Sequence, residues 1–161
     1  MTFIFHKYIP SHILLMFFIS TAFFLSSCKK EDPDQSGYDQ ELLNAVNAHR
    51  DSIGLEPFQH SDVIWQEAHN HSKAMADGTV PFGHDGFTQR STNIRAVYGL
   101  GNTAENIDWG NGSAEEIVKG WLESNGHKPN IEGDFNLTGL SAVKASDGNW
   151  YYTQIFYLDT N

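Results

Sequence analysis

Apolar residues recur at three- and four-residue steps through most of the chain and crowd together near its end. Leu42, Leu43, Val46 and Ile53, with His49 or Arg50 between them, form one stripe and predict a helix over 38–53. Gly54 and Pro57 then close it. Ser61 is a suitable N-cap for a second helix over 61–77, whose stripe is Ile64, Ala68, His71 and Met75. A glycine- and proline-marked loop over 78–87 leads into a third helix over 88–98. Residues 101–109 read as extended. Ser113 and Glu116 have capping-box spacing before a fourth helix over 113–124, with Ile117 and Trp121 on its apolar face. Residues 137–145 and 150–158 flank the turn Ser146–Asn149 and predict a hairpin, the second strand an aromatic run suited to the middle of a sheet. Trp109, Trp150 and Tyr152 are read as core. Helices come first and strands last, an α+β order with helices packed on one sheet.

The amino-terminal stretch follows a different rule. Residues 13–25 are apolar but short for a membrane span, and they end in Leu-Ser-Ser-Cys at Cys28. This resembles a bacterial lipobox, in which the cysteine becomes the lipidated amino terminus. Residues 1–28 are therefore expected to be a lipoprotein signal peptide, 29–37 a flexible tether and 38–161 the domain. Lys29-Lys30-Glu31-Asp32 resembles a sorting tag for the outer face, so the expected location is the cell envelope, as an outer-membrane lipoprotein that is surface-exposed.

Charge narrows the partners. The formal net charge is −10 and the charges of the first 37 residues cancel, so the domain itself is acidic. Nucleic acid, whose phosphates demand a basic face, is excluded as a partner. The single cysteine, Cys28, leaves no internal disulfide, and a monomer held by its own core is expected.

Three short segments end in polar groups able to meet in one cleft: His84 in the glycine-rich loop, Glu105 in the extended stretch, and His127 after the fourth helix. Two imidazoles and a carboxylate are a common ligand set for an open zinc site. His69 and His71 are two residues apart on a helix, point to different sides and cannot share an ion. Both are read as packing residues. The chain lacks a Gly-x-Ser-x-Gly elbow, and Ser124 near His127 is no triad by spacing alone.

Taken in order, these segments resemble one family. They are Leu42–Leu55 (L-L-N-A-V-N-A-H-R-D-S-I-G-L), H-x-x-x-M-A at 71–76, F-G-H-D-G-F-x-x-R at 82–90, A-E-N-I at 104–107, W-L-E-S-N-G-H-K-P-N-I at 121–131 and Y-Y-T-Q-I-F at 151–156. The CAP superfamily carries this series; its other name is SCP, the domain of cysteine-rich secretory proteins, antigen 5 and pathogenesis-related 1 proteins. The likeness is to its bacterial disulfide-free branch. It implies an α-β-α sandwich with a central antiparallel sheet and a cleft lined by His84, Glu105 and His127. Glu123 falls near the family's second glutamate, one residue closer to Trp121 than is usual in animal and plant members. Ala104 stands where glycine is commonest, and Pro129 fits only if the turn after His127 starts a helix.

Two functions follow. One is a lipid-anchored binding or interaction module for a lipid, a small ligand or a protein. The other is a zinc-dependent hydrolase or peptidase on His84, Glu105 and His127, for which Glu123 is the candidate base. No cofactor is certain; a divalent metal, zinc above all, is the candidate.

Overall fold

A computed structural model describes Met1 and residues 33–160; the expected signal peptide, Cys28 and residues 29–32 of the tether lie outside the described residues. In chain order the elements are α1 (Pro33–Ser52), β1 (Gln59–His60), α2 (Asp62–Ala76), α3 (Phe87–Tyr98), β2 (Thr103–Gly110), α4 (Ala114–Glu123), α5 (Lys128–Ile131), β3 (Leu137–Lys144) and β4 (Trp150–Tyr157). Residues 33–37, expected in the tether, are helical. Pro33 suits the first helical position because its fixed φ is already helical and its missing N–H is not needed there.

The caps act as their residue types require. Ser61 Oγ accepts from Ile64 N–H, and Ser113 and Glu116 form a reciprocal capping box. Gly54 and Gly99 leave α1 and α3 with φ of 78° and 94°, where a side chain would be strained. Pro129 lies in the first turn of α5, so the turn after His127 is a helix start.

The sheet order is β1-β3-β4-β2. β3, β4 and β2 are antiparallel, and β1 adds two residues in parallel to β3. One face carries α2 and α3, with Ile64, Ala68, Ile94, Ile155 and Tyr157 in its core. The other carries α1 and α4, packed through Leu42, Val46, Trp121, Leu140, Tyr152 and Phe156. The result is an α-β-α sandwich. β4 is covered on both faces and so reads as a continuous apolar run rather than an alternation. Full burial of side chains such as Leu42 or Ile155 stabilises by roughly 1.5–3 kcal/mol each.

Two close approaches fix the layers. Gly139 lies directly under the Ile64–Trp65 backbone, where any Cβ would collide, so the glycine sets how near α2 comes to β3. Asp39 is buried and accepts from Ala142 N–H at 2.7 Å and Trp65 Nε1 at 2.8 Å, tying α1 to the sheet and α2. Tyr152 is fully buried and Trp150 half-buried, but Trp109 is 55% exposed. Its place near the end of an edge strand leaves no layer to cover it.

Candidate functional site

The A-E-N-I segment lies in β2, at the edge of the sheet. Successive residues of a strand face opposite sides. Glu105 therefore points to the α2/α3 face and Asn106 to the α4/α5 face, and each engages one of the two histidines.

On the first face Glu105 is buried, its side chain 1% exposed. Arg90 grips it side-on, Nε donating to Oε2 at 2.8 Å and Nη2 to Oε1 at 2.8 Å. Such a two-pronged, charge-assisted contact is what lets a carboxylate stay ionised inside a protein. Arg90 Nη1 also donates to Asp85 O at 2.9 Å, holding the loop before α3. His84 Nδ1 lies 2.9 Å from Glu105 Oε1. The carboxylate can only accept, so Nδ1 carries the proton and His84 presents Nε2 from a side chain 54% exposed. His71, buried in α2, lies 2.8 Å from Gly83 O through Nε2, next to His84. Burial and the nearby Arg90 push His71 below the ordinary imidazole pKa, although the Gly83 hydrogen bond opposes them.

On the second face Asn106 is fully buried. Its Nδ2 donates to His127 O at 3.2 Å and its Oδ1 accepts from Asn130 Nδ2 at 2.8 Å. His127 begins α5 and meets Trp121 edge to face, with ring centroids 6.4 Å apart. Its Nδ1 is buried and has no hydrogen-bond partner among the described residues, which leaves Nε2 as the accessible nitrogen. Burial pushes His127 below the ordinary pKa; His84 acts in the same direction and Asp108 opposes. Both histidines thus flank β2, and His127 lies within reach of the His84 charge.

Glu123 does not join them. It lies on the exposed side of α4, 3.8 Å from Lys119, and the charges felt at His127 are those of Asp108 and His84. Nor does the zinc set fit. Glu105 is already held by Arg90 and His84, and among the described residues no group of three ligating side chains could hold a metal ion. Glu105 orients His84 instead of standing beside it as a ligand.

Sequence reasoning missed Arg90, His71 and Asp108 as parts of this neighbourhood. Arg90 was visible in the F-G-H-D-G-F-x-x-R spacing. His71 sat in a helical stripe and carried no signal of its own, since its partner is a backbone carbonyl. His69, in contrast, stacks on Trp65 and contacts Ser141 Oγ at 3.1 Å, a packing role.

The sequence profile of the cysteine-rich secretory protein family (CAP) matches residues 43–156. The uncharacterized protein YkwD of Bacillus subtilis is 32% identical over 114 residues, 68% of this chain and 44% of that protein. The chain thus spans less than half the length of this curated relative. Among solved structures, an extracellular protein containing a SCP domain from Bacillus anthracis superposes with a TM-score of 0.64 at 26% identity, over 80% of this chain and 44% of that one. An outer surface protein of Borrelia burgdorferi gives 0.65 at 18% identity, over 75% and 92%. A cysteine-rich secretory protein of Staphylococcus aureus gives 0.64 at 17%, over 78% and 40%. The last two bear on the fold alone.

Proposed function

The chain belongs to the cysteine-rich secretory protein (CAP) family, and on that footing we propose that it is a binding module of the cell envelope. Its ligand is taken beside the exposed Nε2 atoms of His84 and His127. The observation that carries this reading is the state of Glu105. Both of its oxygens are held by Arg90 and one also by His84, so it is committed to holding the site together. The hydrolase reading took Glu123 as its base, and Glu123 is turned to solvent beside Lys119. Two imidazoles with accessible nitrogens remain, suited to hydrogen-bonding a polar ligand.

The test is turnover. The purified chain, incubated with zinc and a panel of peptide and ester substrates, is expected to show no cleavage that His84→Ala/His127→Ala abolishes. Cleavage by the wild type alone, with matching circular dichroism for the two proteins, would restore the zinc-hydrolase reading and sink this one.

The location is proposed on two grounds. Cys28 completes a lipobox-like segment, and the Bacillus anthracis protein is described as extracellular. Among the described residues no helix is long and apolar enough to cross a membrane; in this reading acyl groups on Cys28 hold the chain at the membrane. Labelled palmitate should enter the wild type and not Cys28→Ser.

A second reading names a lipid as the ligand. A groove of about 510 Å³ between α1 and α4 is lined by Ala45, Ala48, Val118 and Leu122, with His49 and Lys119 among its polar residues. An acyl chain matches that lining. Organic extraction of the purified protein should release lipid, and Ala48→Trp should reduce it; equal yields from both proteins would remove this reading.

A further inference from the structure

α1 and the strands gather one set of aromatic residues at a single end of the domain. Tyr38, in the second turn of α1, donates to Gly112 O at 2.7 Å and packs on Trp150 with ring centroids 5.0 Å apart. At the other end of α1, Arg50 donates to Ile131 O at 2.7 Å and Gly133 O at 3.1 Å, shortly before β3 begins. The helix therefore starts at the hairpin end of the sheet, where Gly110 faces Trp150 across the β2–β4 ladder. Trp109 and Tyr151 are the next pair in that register, and the Phe82 ring centroid lies 6.4 Å from that of Tyr151. Trp109 and Phe82 are exposed, and Trp150 and Tyr151 are half-buried.

The origin of the chain decides what lies opposite these rings. Cys28 is five residues before Pro33, the first residue of α1. Fully extended, that stretch spans at most about 18 Å. α1, with 20 residues, is itself about 30 Å long. An acyl group on Cys28 thus keeps the hairpin end within reach of the bilayer. The tether is too short to bring down the opposite end, where Ile53 and Leu100 are exposed. Indole and phenol rings favour the headgroup region, because an apolar body and a polar tip are both satisfied there. The charges nearby select the kind of lipid. Asp108 adjoins Trp109, Glu115 and Glu116 lie in the first turn of α4 just after Gly112, and Asp147 is in the hairpin turn. Lys144 lies over the Trp150 ring at 5.5 Å. This acidic excess repels an anionic surface and leaves a zwitterionic one as the fit.

We propose that the Phe82, Trp109 and Tyr151 patch seats on the bilayer that holds Cys28, and that the surface it meets is zwitterionic. The inference rests on the acyl anchor at Cys28. A patch this small acts because the tether makes its contact with the bilayer intramolecular. Phe82 is two residues before His84, so seating the patch brings the loop that carries His84 to the lipid surface.

In the test, the full chain is held on phosphatidylcholine nanodiscs that contain a gadolinium-chelating lipid. It is attached through Cys28, by its own acyl groups or by a maleimide lipid, Cys28 being the single cysteine. The Phe82, Trp109, Tyr151 and Gly148 amide signals should broaden beyond detection while those of Leu100 and Gly54 stay sharp. Phe82→Ser/Trp109→Ser, with unchanged circular dichroism, should bring the Tyr151 and Gly148 signals back. Phosphatidylserine in place of phosphatidylcholine should do the same for the wild type. Broadening spread evenly over the domain, broadening strongest at Leu100, or a pattern that either the double variant or phosphatidylserine leaves unchanged would each overturn the proposal. A failure of palmitate labelling counts against the acyl anchor and is distinguishable, since the maleimide-held chain reports on the patch alone. The binding-module reading falls only to His84- and His127-dependent cleavage and is untouched by these outcomes.

Discussion

The two faces of β2 solve the burial of polar groups in opposite ways. On the α3 side Glu105 is charged, gripped by Arg90 and used to fix the tautomer of His84. On the α5 side the contacts are neutral amides, Asn106 and Asn130, and His127 keeps a buried Nδ1 without a partner among the described residues. A buried charge needs its countercharge wherever it sits, whereas a neutral imidazole tolerates an imperfect seat. One face is a locked ion cluster. The other is a packed ring whose protonation the fold resists.

The comparison breaks most visibly at Arg90. Arg90→Met leaves Glu105 buried without its partner and should cost about 3–5 kcal/mol in urea unfolding. The pair Arg90→Met/Glu105→Leu should recover much of that loss, because the penalty lies in the orphaned charge. A double variant no better than the single one would mean that the loss does not come from the orphaned Glu105 charge.

On the neutral face the corresponding change is smaller. Asn106→Ala removes the donor to His127 O and the acceptor for Asn130, and should cost about 1–3 kcal/mol. It should leave the proton on His84 Nδ1, which nitrogen-15 shifts of the ring would report. A changed His84 tautomer would show that the faces are not independent.

Acid should act on both faces through the histidines held below their ordinary value. His71 and His127 are depressed mainly by burial. The unfolded chain takes up protons near pH 6.5 that the folded one refuses, so stability is complete above that pH and is lost as pH falls toward the folded pKa values. Each unit of depression is worth about 1.4 kcal/mol. The urea midpoint should therefore fall between pH 7.5 and 5.5, and His71→Asn/His127→Asn should flatten that slope. An unchanged slope would mean that neither imidazole is responsible.

Glu123 supplies the smallest expected effect. Exposed beside Lys119, Glu123→Gln should change stability by less than about 0.5 kcal/mol and should not shift the titration of His127. A moved His127 titration curve would bring Glu123 back to the site.

Much of the fold was legible because its signals are local. Ser61, the Ser113/Glu116 box, Gly54 and Gly99 each specify a boundary through their own backbone chemistry. Apolar periodicity placed the long helices, and the aromatic run of β4 announced a strand covered on both sides. Pairings between distant segments were less legible. Nothing around His71 announces that it anchors Gly83. The two-residue β1 is too short for any pattern. Trp109 was read as core for its aromatic side chain, and its place on the edge strand leaves it exposed.

By itself, then, the sequence determined the α+β order, the caps and the His84, Glu105 and His127 segments, since propensity, periodicity and turn chemistry act over a few neighbouring residues. Only the tertiary structure decided that Glu105 belongs to Arg90 and His84, that Asn106 serves His127 from the opposite face, and that Glu123 serves neither. Those outcomes depend on which strand lies at the sheet edge and how the helices close around it, and that is set by packing between residues far apart in the chain.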